Sequence, residues 1–190
     1  MELSFSLSLP ATIALAIGSE QIISVLFGYG SFDKISVKNS SLALYYFALG
    51  LPAFALIKVF SSFFFANHDT KTPFYISLIS VMLNILISVY YFNQIGFIII
   101  PIATSISSWF NSIILFIFLK NRELFNFNEI FFVKFIKILF ASIFMGIFFN
   151  FLLNYFENQL SFDVGIKSMY LVLIVMLGLL FYLIICYVIK

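Results

Sequence analysis

Long apolar runs separated by short polar interruptions dominate the chain. The interruptions read GYGSFDKISVKNS, NHDTKT, NQIG, KNRELFNFNE and ENQLSFDVGIK. A helix crossing the ~30 Å hydrocarbon layer needs about 20 mostly apolar residues. Six runs meet that need: 4–27, 41–66, 73–92, 97–118, 131–155 and 168–189. A spanning segment must satisfy its backbone internally, and no alternation of period two marks barrel strands, so the runs are read as helices. The expected fold class is all-α, a polytopic membrane helix bundle with four spans in residues 1–119 and two more in residues 120–190. Short connections make consecutive helices antiparallel neighbours.

Composition sharpens this picture. The 190 residues are 63% hydrophobic and 9% charged, against roughly 45–50% and 25% in soluble domains. A soluble chain of this length could not hide so much apolar surface, so lipid is the solvent for most of it. The net charge of +2 includes no basic block suited to nucleic acid. Cys186 is the single cysteine and His68 the single histidine. That leaves no internal disulfide and no metal-ligand spacing, and no cofactor is expected. The N-terminal MELSFSLSLPATIALAIG lacks a basic n-region and reads as the start of a spanning helix, not as a cleaved signal peptide. Nothing in the sequence fixes Met1 as the natural start.

Lys and Arg set the expected orientation. Lys71, Lys120, Arg122, Lys134, Lys137 and Lys190 fall at one end of the predicted spans, and Lys34, Lys38 and Lys167 at the other. The richer end is expected to face the cytoplasm, with both termini there.

The polar cluster Asn67–Pro73 is the turn between the second and third spans. Thr72 before Pro73 resembles a hydroxyl N-cap followed by proline at the first helical position. Asp69 lies beside that N-terminus, where negative charge is favoured, and Lys71 lies at headgroup level. Lys58, about 12 Å inside the second span, and Glu20, about 10 Å inside the first, are ionisable groups at depth and hence transport candidates. Lys58 has a second reading, since its stem could snorkel towards the headgroups. Pro10, Pro52 and Pro101 each interrupt a span, and Gly50 with Pro52 predicts a kink or hinge in the second. Small residues four apart (Ala103 and Ser107, Thr104 and Ser108, Ser142 and Gly146) allow close helix contacts, and Asn84 is read as an interhelical hydrogen bonder. The fifth span is apolar nearly all round, which suits wide lipid exposure. Lys134 and Lys137 at its start are candidates for anchoring to anionic headgroups. No catalytic constellation is visible, so an enzyme is not expected.

Three pieces in order carry a resemblance: LPATIALAIGSEQIISVLFGYGSF, ALYYFALGLPAFALIKVFSSFFFANHDTKTPFYIS, and the four apolar spans that follow. With Pro10, the spaced Leu26, Phe27, Gly30 and Phe32, the GLPAF of Gly50 to Phe54, the KVF of Lys58 to Phe60 and the DTKTP of Asp69 to Pro73, the chain resembles the MurJ (MviN) lipid II flippase family. The Gly28–Gly30 turn departs from it, because a charged residue often precedes the second glycine in the family. The resemblance implies a fourteen-helix fold with the six spans here as helices nine to fourteen, in the bacterial inner membrane. It implies alternating access that carries an undecaprenyl-linked peptidoglycan precursor to the outer leaflet. It also implies a groove for the lipid tail in residues 131–189, and as partners membrane lipid and the missing N-terminal helices of the same or a split protein. The family's cavity arginines have no counterpart here, so the 190 residues are expected to be incomplete alone. Two other readings stay open: a flippase for another polyprenyl-linked saccharide, and a non-transporting membrane partner protein.

Overall fold

A computed structural model describes residues 2–30, 32–123, 129–160 and 167–188, all of whose regular structure is helical. Lys190, one of the cations sorted above, lies outside them. The helices are α1 (Glu2–Ile17), α2 (Ser19–Phe27), α3 (Lys34–Ala66), α4 (Lys71–Ile95), α5 (Ile99–Asn121), α6 (Glu129–Tyr155) and α7 (Lys167–Val188), with 3₁₀ turns at Gly96–Ile98 and Glu157–Leu160.

The first expected span is not one helix. It bends by 75° between α1 and α2, and the break falls at Gly18 rather than at Pro10, which lies inside α1. A Cβ at position 18 would stand 2.9 Å from Phe149 Cε1 and 3.0 Å from the Ala14 carbonyl, so only glycine lets the bend sit against α6. The second span begins earlier than expected. Asp33 Oδ1 accepts the Ser36 N–H at 2.8 Å, a side-chain cap that starts α3 at Lys34 and draws Lys34 and Lys38 out of the connection into the helix. Pro52 does not break α3 either, which runs 33 residues without interruption.

Lys71–Asn121 forms one apolar helical run of 51 residues, but it reverses at Gly96, whose φ of 74° is left-handed. Asn84 then faces Thr104 and Ser107, while Ser77 faces Asn111, the pairing of an antiparallel hairpin. With α3, α6 and α7, the two arms of the hairpin make five single helices of spanning length among the described residues, and the bent α1–α2 pair is together long and apolar enough for a sixth.

The crossings form two packed groups. Phe60, Phe64, Ile76, Leu115 and Leu119 close the junction of α3, α4 and α5. Val25, Ala141, Met145, Phe149, Leu153, Leu171 and Ile174 close the junction of α2, α6 and α7. The α1 helix touches both α3 and α6 and so joins the groups. Phe132, Phe140, Phe144, Ile147 and Phe151 leave one side of α6 widely exposed, as expected, while its other side gives it a larger buried share than α3, α7 or the α4–α5 run.

Candidate functional site

The turn between α3 and α4 ends one helix and starts the next within five residues. His68 takes a left-handed φ of 57°. Its N–H donates to the Phe65 carbonyl at 3.0 Å, and the Asp69 N–H donates to the Phe64 carbonyl at 3.0 Å. That is the paired pattern of a Schellman stop, here with histidine at the position glycine usually takes. Asn67 Nδ2 caps the Phe63 carbonyl at 2.8 Å. Asp69 then turns to the new helix, accepting the Thr72 N–H at 3.0 Å and the Thr72 hydroxyl at 2.6 Å. The expected assignment of Thr72 as N-cap is therefore corrected. Asp69 is the residue that caps, Thr72 donates to it, and α4 begins at Lys71, two residues before the buried Pro73. Arg122, just past the end of α5, pairs with Asp69 through Nη1 and donates from Nη2 to Thr72 Oγ1 at 3.1 Å. The Thr72 hydroxyl, the Thr72 N–H and Arg122 together hold the Asp69 carboxyl well below the usual carboxylate range.

The two prolines well inside helices, Pro10 and Pro52, each have donors from another helix close by. Pro10 has no N–H for the Ser6 carbonyl, and Tyr182 Oη of α7 donates to that carbonyl at 2.8 Å. Pro52 interrupts the ladder of α3. In the turns before it, Ser105 Oγ of α5 donates to the Tyr46 carbonyl, six residues back, and Trp109 Nε1 to the Leu49 carbonyl at 3.0 Å, on either side of the Ala48 carbonyl that Pro52 leaves without a helical donor. Gly50 lets α5 come this near, because a Cβ there would stand 2.8 Å from Ser105 Oγ. The Gly50–Pro52 segment is thus stapled to α5 as it stands. Asn84 Nδ2 donates to Thr104 Oγ1 at 3.0 Å and to Ser107 Oγ at 3.3 Å.

The two ionisable candidates are not brought together, and neither has an ion-pair partner among the described residues. Glu20 is exposed in the first turn of α2, where the helix dipole favours a carboxylate. Lys58 is exposed into a groove of about 440 Å³ between α1 and α3, lined by Ser4, Leu7, Ser8, Ala11, Phe54 and Ala55 among others. A second, wholly apolar groove of about 250 Å³ lies between α6 and the α3–α5 pair, with Phe60, Trp109, Phe131 and Phe135 in its wall. Of the residues expected to form a tail groove, only Phe131, Phe132 and Phe135 of α6 line it. Lys134 donates to both oxygens of Glu2, at 3.0 and 2.9 Å, with both side chains half exposed.

Lys167, assigned to a connection by sequence, is 0% exposed. Its Nζ donates to the Gly28 carbonyl at the end of α2 at 2.8 Å and lies 4.0 Å from the centre of the Tyr29 ring. A cation at a helix C-terminus is well placed for the dipole. Ser105, Trp109, Tyr182 and Lys167 were all missed as structural donors. For Tyr182 and Trp109 a signal existed: an isolated polar aromatic inside an apolar span needs a partner, and proline-containing helices offer carbonyls.

A family model described as Lipid II flippase MurJ matches residues 1–173. Among curated relatives, a probable lipid II flippase MurJ of Rickettsia prowazekii is 40% identical over 105 residues, covering 55% of this chain and 21% of that protein. The protein of the same description from Thermotoga maritima is 38% identical over 143 residues, covering 75% of this chain and 28% of that one. The chain therefore spans less than a third of the length of these relatives. A solved structure of a lipid II flippase MurJ in an inward closed conformation superposes with a TM-score of 0.78 at 24% identity, over 97% of this chain and 36% of that one. That likeness is one of fold.

Proposed function

The chain belongs to the lipid II flippase MurJ family, and from that premise we propose that it forms the C-terminal part of a flippase for a lipid-linked peptidoglycan precursor. It is a multi-pass protein of the bacterial inner membrane. In the proposed role it supplies helices nine to fourteen of a fourteen-helix transporter, which moves the precursor from the inner to the outer leaflet by alternating access. The family match over residues 1–173 is the observation that carries this reading. No chemical step on the substrate is part of it.

We further propose that both termini face the cytoplasm. Lys71, Lys120, Arg122 and Lys134 fall at the end of the bundle that also holds Glu2 and Asp69, and the positive-inside rule places that end inwards. Lys58 and Glu20 remain the transport candidates. Lys58 has the stronger case, because an ammonium at depth costs roughly 2.5–3.5 kcal/mol on insertion scales and here has a groove to serve.

Expression of the native gene product in cells depleted of their own flippase tests the function. Appearance of the precursor at the outer leaflet, read with an external precursor-binding probe, is the expected result. Normal membrane insertion with the precursor still confined to the inner leaflet would sink it.

A further inference from the structure

We propose that α2 is a hinged helix, latched against the bundle by Lys167 and able to swing about Gly18 into line with α1. The 75° bend between the two is not a break in the hydrogen-bond ladder. Across it the Gly18 N–H still donates to the Ala14 carbonyl at 2.9 Å, and the Ile22 N–H to the Gly18 carbonyl at 2.8 Å. Both are ordinary helical bonds, one on each side of the hinge. No proline forces the bend, since Pro10 lies well inside α1. Bent, the 16 residues of α1 reach about 24 Å, short of the ~30 Å hydrocarbon layer. In line, Glu2 to Phe27 would reach about 39 Å and cross it fully.

Separate residues hold the bend and oppose it. The fully buried Lys167 donates to the Gly28 carbonyl at the end of α2 and lies against the Tyr29 ring. Glu20, in the first turn of α2, is favoured there only while α2 keeps an N-terminus of its own. Val25 is buried among residues of α6 and α7, but lipid tails are as apolar as that junction, so its release loses shape more than burial. Against these stands Gln21 on α2, whose carboxamide oxygen is buried with no hydrogen-bond partner among the described residues. A buried acceptor left without a donor is costly, and swinging α2 out relieves it. The connection to α3 has slack for the swing, which moves the end of α2 by about 16 Å. It is folded into tight turns, with the Tyr29 N–H donating to the Phe27 carbonyl at 2.7 Å and the Phe32 N–H to the Tyr29 carbonyl at 3.2 Å. Extended, residues 28–33 reach about 20 Å. Neither state depends on what the protein carries.

Double electron–electron resonance on the native gene product in lipid nanodiscs reads the hinge. Spin labels go on Leu7→Cys of α1 and Phe27→Cys of α2, both exposed positions, with native cysteines such as Cys186 replaced by serine. At 1.5 Å per residue the two positions stand about 24 Å apart when bent by 75° and about 30 Å apart in line. Wild type is expected mainly at the shorter distance. Lys167→Met should raise the ratio of in-line to bent protein roughly tenfold or more, the worth of a hydrogen bond from a charged group. Gly18→Ala, whose Cβ would stand 2.9 Å from Phe149 Cε1, should raise it without touching the latch. It therefore decides the matter if Lys167→Met folds poorly and gives only a broad distribution. Gln21→Met, added to Gly18→Ala, should lower the ratio again. A single population near 24 Å in both Lys167→Met and Gly18→Ala makes the bend permanent and overturns the proposal. An in-line population in Gly18→Ala but none in a well-folded Lys167→Met overturns Lys167 as the latch, and wild type found in line overturns the latched state itself.

Discussion

Where α5 meets α3 and α4, five side-chain hydrogen bonds cross between helices: from Ser105 and Trp109 to backbone carbonyls of α3, from Asn84 to Thr104 and to Ser107, and from Asn111 to Ser77. Where α6 and α7 meet α1 and α2, methyl groups and rings fill the junction instead. Gly146 lies against Ile13, Phe5 meets Phe135 edge-on at 5.0 Å, and Phe148 stacks on Phe181 at 4.3 Å. Polar contacts there are fewer: Tyr182, buried within the junction, donates to the Ser6 carbonyl, and Lys167 to Gly28 and Lys134 to Glu2 lie at helix ends. The difference teaches how a membrane bundle divides its labour. Lipid tails are as apolar as the junction, so burial itself gives α6 little reason to prefer α1 over lipid, and shape must decide. On the α3–α5 side, fixed donor–acceptor pairs set the register. The α6–α7 region should fail at single steric points, and the α3–α5 region should weaken in small steps.

Gly146→Leu is the severest test of that contrast. Even a Cβ at this position would stand 2.4 Å from Ile13 Cγ2, and a β-branched side chain close to its own backbone cannot swing aside. We expect a loss of about 3 kcal/mol in reversible unfolding in mixed micelles, at the upper end of overpacking costs. A loss below about 1 kcal/mol would show that α6 slides freely on α1 and that shape does not fix this junction.

Lys167→Met probes the outer margin of the same region. The Gly28 carbonyl loses its donor and the Tyr29 ring its cation, for an expected cost of about 1–3 kcal/mol. Removing the ammonium also removes its desolvation penalty, so a neutral outcome would mean that the lysine orders the α2–α7 contact without stabilising it. Faster proteolysis near Tyr29 would separate a loosened α2 from an intact one.

Asn84→Ala sharpens the other side of the comparison. Interhelical hydrogen bonds in membranes average about 0.6 kcal/mol and reach about 1.7, so a loss near 1 kcal/mol is expected for the pair to Thr104 and Ser107. Trp109→Phe should cost about as much and add to it independently, since the two act on different neighbours of α5. A double mutant that loses far more than the sum would mean that α3, α4 and α5 hold together as one cooperative network.

The succession of long apolar helices was legible because lipid imposes it directly, through the length a span needs. The break at Gly18 was not. Pro10 is the stronger breaker by intrinsic propensity, yet α1 continues through it, with Tyr182, 176 residues further along the chain, donating to the Ser6 carbonyl. The buried face of α6 was hidden for a different reason. In a bundle surrounded by lipid both faces of a helix are apolar, so periodicity carries no burial signal, and Met145, Phe149 and Leu153 look like Phe144, Ile147 and Phe151. Lys167 was read as part of a connection because a lysine next to a polar linker is usually solvated. Lys58 was legible as an unusual residue. The groove that gives it meaning was not, because α1 supplies the opposing wall.

The smallest expected effect belongs to Asp69, which ties the hairpin to the end of α3. Its carboxyl is held well below the ordinary range by the Thr72 hydroxyl, the Thr72 N–H and Arg122. A depressed folded pKa means that the contribution is fully present above the unfolded value of about 3.9 and is lost as pH falls towards the folded one. Stability should therefore be flat in this respect between about pH 5 and 8 and decline below about pH 4. Asp69→Asn should lower the plateau slightly and flatten the acid limb, because the amide still accepts from Thr72 but no longer pairs as an anion with Arg122. The same substitution should leave the junction of α6 with α1 untouched, since Asp69 makes no contact with either helix among its hydrogen bonds. An acid limb unchanged in Asp69→Asn would place the titration elsewhere and detach this turn from the stability of the α3–α5 group.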